Sequence, residues 1–305
     1  MTVLSLLLAI SSLPAASEKI TATETPTLSS PAEIESMVED CINTTMNGQF
    51  SIEKVAEVID SFEKENHSEN ADWSVEVIDL ATGRSAGYDE EEMQTAASSV
   101  KLFIAGAIME EFGSDPLLEE GEEQEKTETA MDPDILYMLR SMLIISDNDA
   151  ATSLIYVLGN GSSTRGKEAV NEYCRRYGFD STYLGILFTG IDPDGTYNTT
   201  SAHDTARFME MIYNDELPGS ALLLDLLSQS ERLEKIPAAL PAGIRSANKT
   251  GELDMTQNDT AIIYAKRPFV LSILIDDEDF FQGGRLIRDM TQEIFPIFNE
   301  SGKER

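Results

Sequence analysis

A serine and a lysine three residues apart can do chemistry on a helix, because positions i and i+3 share a face and an uncharged amine can take the hydroxyl proton. The chain carries that spacing four times, as Ser51/Lys54, Ser61/Lys64, Ser98/Lys101 and Ser246/Lys249. Lys54 adjoins Glu53, and Lys64 lies between Glu63 and Glu65, so carboxylates there favour the ammonium form. Both pairs read as solvent-facing helix residues. The fourth pair precedes a strand-like run, where helical spacing does not apply. Ser98/Lys101 differs, because Lys101 is the only charge in TAASSVKLFIAGAIM, a run that belongs in the interior. Bringing a lysine amine from about 10.4 to near 7 takes about 4.6 kcal/mol, which desolvation and a second cation can supply. Ser98 would stand at the start of that helix, where free backbone N–H groups favour developing negative charge. The plainer alternative is Ser98 as a helix cap with a snorkelling lysine.

Two further segments carry polar side chains where the pattern is otherwise apolar. Ser146-Asp147-Asn148 interrupts MLIISDNDAATSLI ahead of a new helix, and all three residue types also serve as helix caps. Lys249-Thr250-Gly251 precedes two strand-like runs, where a hairpin approach with a turn glycine is the simpler explanation.

The elements that would hold these residues are legible. Ile52, Val55, Ala56, Val58, Ile59 and Phe62 fall at helical spacing between Ser51 and Lys64. WSVEVIDL (Trp73 to Leu80) alternates as a strand, and Ala81-Thr82-Gly83 turns it into a second strand ending near Tyr88. Helices follow from Ser98 to Met109, near Asp134 and near Asp149. Strand-like runs from Asp259 to Ala265 and Phe269 to Ile275 lead into a helix from Gln282 to Phe298. Strands at both ends with helices between predict one α/β domain, residues 46–300, whose sheet joins N- and C-terminal segments.

The ordered motifs Ser98-x-x-Lys101, Ser146-Asp147-Asn148 and Lys249-Thr250-Gly251 resemble those of the penicillin-recognising serine enzymes, the class A β-lactamases and penicillin-binding proteins. The resemblance runs from about Ser51 to Phe298 and includes VEVIDLATG, YNTTSAHDTARFM and KTGELDMTQNDTAIIY. It implies a three-layer sandwich, an antiparallel sheet flanked by helices. It also implies roles: Ser98 as nucleophile, Lys101 as its base, Ser146 as proton relay and Asn148 on the substrate's side-chain amide. Lys249 and Thr250 would face the substrate carboxylate, with Lys249 helping to keep Lys101 neutral. Gly251 lies on the same segment, and the backbone N–H groups of Ser98 and Glu252 would form the oxyanion hole. No metal or other cofactor is implied. The implied ligand is a β-lactam or a D-Ala-D-Ala-type cell-wall peptide, handled by a monomer.

Two departures stand out. Class A β-lactamases carry a loop glutamate that activates the deacylating water, yet FDSTYLGILFTGIDPDGTYNTTS contains none; its carboxylates are Asp180, Asp192 and Asp194. Either Asp192 or Asp194 could substitute, although a Pro-Asp-Gly turn is the simpler explanation. The family's arginine on the strand after Lys-Thr-Gly is missing too, and Arg245 is the candidate to replace it. Acylation is therefore equipped and release is not.

The whole chain sets limits. Its 305 residues include 22 basic and 55 acidic side chains, a formal charge of −33, which repels nucleic-acid backbones and anionic membranes. Two cysteines (Cys41, Cys174) and two histidines (His67, His203) make a Cys/His zinc cluster improbable. Residues 1–17 carry no charge, and the apolar run Val3 to Leu13 followed by Pro14, Ala15, Ala16 and Ser17 suits a signal peptide, so a secreted protein is expected. The basic start of such a segment is absent, which points to a beginning upstream of Met1. Residues 18–45 read as a Thr/Ser/Pro-rich tether, and Glu119 to Glu125 as a solvated loop. Gly83-Arg84-Ser85-Ala86-Gly87 matches a nucleophile-elbow pattern, but it falls between two strands rather than between strand and helix. A non-enzymatic cell-wall or partner-binding domain is the other alternative, against which the buried lysine argues.

Overall fold

The structure, a computed structural model, describes residues 50–66, 71–113, 131–189 and 196–299. The expected signal segment 1–17, tether 18–45, acidic run Glu119–Glu125, Cys41, Asp192 and Asp194 lie outside those residues. Along the chain come α1 (Ile52–Asn66), β1 (Asp72–Asp79), β2 (Arg84–Tyr88), β3 (Gln94–Thr95), a 3₁₀ turn (Ala97–Val100) and α2 (Lys101–Phe112). Four more follow: α3 (Pro133–Ile144), α4 (Asn148–Leu158), α5 (Ser163–Tyr177) and β4 (Thr199–Thr200). The remainder is α6 (Ala202–Tyr213), α7 (Ser220–Ser228), α8 (Ile236–Ala239), β5 (Ser246–Leu253), β6 (Thr256–Ile263), β7 (Phe269–Asp276) and α9 (Phe280–Asn299).

Five strands form one antiparallel sheet in the order β2-β1-β7-β6-β5. Its centre joins the two ends of the domain, with Val75 of β1 opposite Ile273 of β7. Trp73, Val75 and Val77 face one way, and with Leu271 and Ile273 they pack on apolar positions of α1 and α9. Ile78, Val270, Ile262 and Ala247 face the other way and join the core of α2 to α7. The result is three layers, helices, sheet and helices. Cover on both faces leaves β6 buried at all eight positions, so it lacks the alternation of a half-exposed strand. The α2 helix is apolar all round, and every residue from Lys101 to Met109 is buried. That enclosure puts the Lys101 amine out of water.

Gly83–Gly87 lies in the β1–β2 hairpin, with Ser85 opposite Ile78, so no strand–turn–helix presents that serine. His203 begins α6 and directs Nδ1 at Glu76 Oε2, 3.0 Å away. Cys174 is a buried thiol in α5. Among the described residues no cluster of three His, Cys, Asp or Glu could hold a metal ion, and no helix is long and apolar enough to cross a membrane.

Candidate active site

Ser98 sits in the 3₁₀ turn that enters α2, one residue after Ala97, whose φ is +45°. A non-glycine residue in that left-handed region stores about 1–3 kcal/mol and persists only where its surroundings hold it. The holding contacts are visible. Ala96 N donates to Asn198 O at 2.8 Å, and Asn258 Nδ2 donates to Thr95 O (2.9 Å) and Ala96 O (3.2 Å). Gly251 on β5 closes the other side: a Cβ there would lie 2.7 Å from Ala96 O and 2.8 Å from Ser99 Oγ. Lys249, Thr250 and Gly251 are therefore part of β5 itself, not a turn before it, and the glycine serves close approach of strand and helix entry.

Ser146 follows α3 with φ of +61°, and Asp147 caps α4 by accepting from Ala150 N at 2.6 Å. The helix-cap explanation thus holds for Asp147, while Ser146 is left free to face two amines. Lys101 Nζ donates to Ser146 O (2.6 Å), Asn148 Oδ1 (2.7 Å) and Ser146 Oγ (3.3 Å). From the opposite strand Lys249 Nζ donates to the same Ser146 Oγ (2.9 Å) and to Thr250 O (2.8 Å). One hydroxyl thus receives two buried lysines, and Lys101, Ser146 and Lys249 form a continuous chain. The Ser98 hydroxyl has no hydrogen-bond partner among the described residues. Ser98, Asn148 and Glu252 line a cleft of about 180 Å³.

Burial pulls the Lys101 amine down to about 7, against the pull of Asp147 and with help from Arg232. Lys249 is held well below its ordinary value by burial first and by Lys101 second. The expected repulsion between the two amines therefore bears on Lys249, and Arg232 is the cation acting on Lys101. Arg245 is not the missing arginine. It stacks on the Tyr264 ring at 5.1 Å and lines a separate cavity with Ile244 and Leu233.

The loop before β4 supplies the wall where a glutamate was sought. Ile186, Leu187 and Phe188 line the cleft, and the Phe188 ring lies 4.6 Å from Lys101 Nζ. Asn198 Oδ1 accepts from Gly185 N (2.8 Å) and Ile186 N (2.9 Å), Asn171 Oδ1 accepts from Leu184 N (2.7 Å), and Thr189 N donates to Thr152 Oγ1 (3.2 Å). These bonds fix the wall. Three residues went unrecognised in the sequence: Phe188, Lys235 and Asp259. Lys235 is buried behind β5, donating to Gly251 O (3.2 Å) and Asn258 O (3.0 Å), with Glu252 Oε1 at 3.1 Å. Asp259 accepts from Asn248 Nδ2 (3.0 Å) and Ile236 N (2.9 Å). The sequence surroundings of these two charges, ERLEKIP for Lys235 and TQNDT for Asp259, are polar and carry no signal of burial.

A sequence profile of the Beta-lactamase enzyme family matches residues 53–298. A beta-lactamase of Bacillus licheniformis is 25% identical over 289 residues, spanning 86% of this chain and 92% of that protein. Among solved structures, a class A beta-lactamase from Mycobacterium abscessus is 25% identical with a TM-score of 0.63, covering 80% of this chain and 99% of its own. The structure of PBP-A is 22% identical with a TM-score of 0.66, covering 79% of this chain and 96% of its own.

Proposed function

The chain belongs to the beta-lactamase enzyme family, and from that premise we propose that it is a serine hydrolase that takes β-lactams onto Ser98 and releases them slowly. The observation that carries this reading is the pair of buried amines, Lys101 and Lys249, converging on Ser146 Oγ beside the cleft of Ser98. With its amine drawn down to about 7, Lys101 is substantially neutral near neutral pH and accepts the Ser98 proton, directly or through a water. Ser98 Oγ then bonds to the lactam carbonyl carbon, and the oxygen takes up negative charge facing the backbone N–H groups of Ser98 and Glu252. The C–N bond breaks as Ser146 passes a proton to the leaving nitrogen, resupplied from the lysines it contacts. Asn148 holds the substrate's side-chain amide. Lys249 and Thr250 hydrogen-bond the substrate carboxylate, whose charge favours the ammonium form of Lys249 once it is bound. Such a protein works outside the cytoplasm, as a secreted monomer.

Release needs a water activated next to the acyl carbonyl. Among the described residues of that loop the cleft is lined by Ile186, Leu187 and Phe188, none of which can take a proton, while Asp192 and Asp194 lie outside them. This favours a second reading, a D-Ala-D-Ala-type peptidase or transpeptidase, for which a long-lived penicillin adduct is a by-product. Another solved relative in fold is a variant of PBP-A as its penicillin G acyl-enzyme.

Intact-mass spectrometry with penicillin G, run beside a chromogenic cephalosporin turnover assay, tests the proposal. The expected result is a stoichiometric adduct that outlasts the assay, is absent from Ser98→Ala, and accompanies slow turnover. Adduct formation by Ser98→Ala contradicts the proposal, and so does an unreactive wild type, which would return the chain to the binding-domain alternative. Fast turnover without an adduct would contradict slow release alone.

A further inference from the structure

A second cavity adjoins the Ser98 cleft at Glu252. It measures about 330 Å³ and is formed by Arg232, Glu234, Lys235 and Glu252 with Gln257 of β6 and Phe280, Phe281, Gly284 and Arg288 of α9. Glu252 is the one residue it shares with the Ser98 cleft.

Three features give it a chemical preference. Three cations against two carboxylates leave the lining at +1, in a chain whose total is −33. Lys235 is committed to Glu252 and two carbonyls, and Arg288 Nη1 donates to Glu234 O at 3.0 Å. The Arg232 guanidinium has no partner among the described residues, so it is the cation available to an anion. Second, the buried Gln257 amide is half-satisfied. Its Nε2 donates to Thr256 O at 2.8 Å, which fixes the amide's orientation, while Oε1 receives no hydrogen bond. A buried acceptor in that state favours any ligand that brings it a donor. Gly284 borders it: a Cβ built there would be 3.9 Å from Gln257 Oε1 and 3.7 Å from Arg288 Nη1. Third, Phe280 and Phe281 form an edge-to-face pair at the rim, 5.5 Å apart, with Phe281 80% exposed.

We propose that this cavity is a second binding site, for an N-acylated amino acid or peptide C-terminus with an apolar side chain. The ligand carboxylate pairs with Arg232, its N–H donates to Gln257 Oε1 after a small shift of Arg288, and its side chain lies on the two phenylalanines. The cavity adjoins the Ser98 cleft at Glu252 and its Arg232 also acts on the Lys101 amine, but binding there does not require Ser98 to be acylated.

The test is calorimetric titration of the full chain with N-acetylphenylalanine and, in parallel, with its uncharged amide. Saturable binding of the acid is expected, with the amide at least about tenfold weaker. Gly284→Leu starts in ordinary van der Waals contact and fills the cavity, so it should weaken the acid at least about tenfold. Asn148→Ala, in the other cleft, should leave affinity unchanged. Arg232→Ala gives a second reading should Gly284→Leu not fold, and is expected to bring acid and amide to similar affinity. No saturable binding, equal binding of acid and amide by the wild type, or loss in Asn148→Ala overturns the proposal; so does affinity that survives both cavity variants.

Discussion

Two strands of the same sheet carry buried charge, and they treat it in opposite ways. On β1, Asp79 is fully enclosed and accepts from Arg267 Nε (2.7 Å) and Nη2 (2.6 Å), from Ala81 N (3.3 Å) and from the Thr82 hydroxyl. Opposite charges meet in a two-pronged geometry, and each lone pair finds a donor. On β5, Lys249 is fully enclosed as well, yet the group that shares its hydroxyl partner is Lys101, a second amine. Burial and repulsion there favour loss of protons, while at Asp79 a cation and backbone and hydroxyl donors meet the carboxylate. A pairing that would only destabilise the fold if both amines were charged is what an enzyme needs to keep a base at neutral pH.

That contrast can be broken from either side. The largest effect is expected at the amines: Lys101→Met should slow adduct formation by penicillin G about a thousandfold, read by time-resolved mass spectrometry. Asp79→Ala leaves the Arg267 charge without its carboxylate and should cost about 3–5 kcal/mol in urea unfolding, with the acylation rate of the folded protein unchanged. Next in size, Phe188→Glu places a carboxylate over Lys101 and beside the acyl carbonyl. It should speed adduct decay by about tenfold or more, and an unchanged decay would show that Phe188 does not stand where the water must be. The smallest effect is expected at Ser85, in the hairpin: Ser85→Ala should shift stability by no more than about 0.5 kcal/mol and leave acylation intact. Loss of acylation in that variant would revive the nucleophile-elbow alternative.

Much of this was legible in the sequence because it is local. Hydrophobic period placed α1, α2, β1, β7 and α9 to within a few residues, and the three motifs fall in one place. What escaped was set by packing. Nothing in GILFTG says that Phe188 will cover Lys101, since the loop is pinned by Asn171 of α5 and by Asn198 just before β4, each 13 residues from the backbone N–H it holds. Arg245, near Lys249 in sequence, lies just before β5 begins, where strand alternation does not set its direction, and its guanidinium stacks on Tyr264 instead. Lys235 and Asp259 looked like surface charge and proved to be the buried bracing behind Lys-Thr-Gly.

The central claim is that Ser98 is activated by a neutral Lys101, and the pH dependence of acylation measures it directly. With the amine drawn down to about 7, the single-turnover rate of penicillin G adduct formation should fall about tenfold per pH unit below that point and level off above it. The shoulder should disappear in Lys101→Met. A wild-type rate that is flat from about pH 5 to 8, or one that keeps climbing to about pH 10 as an ordinary lysine would dictate, contradicts the account.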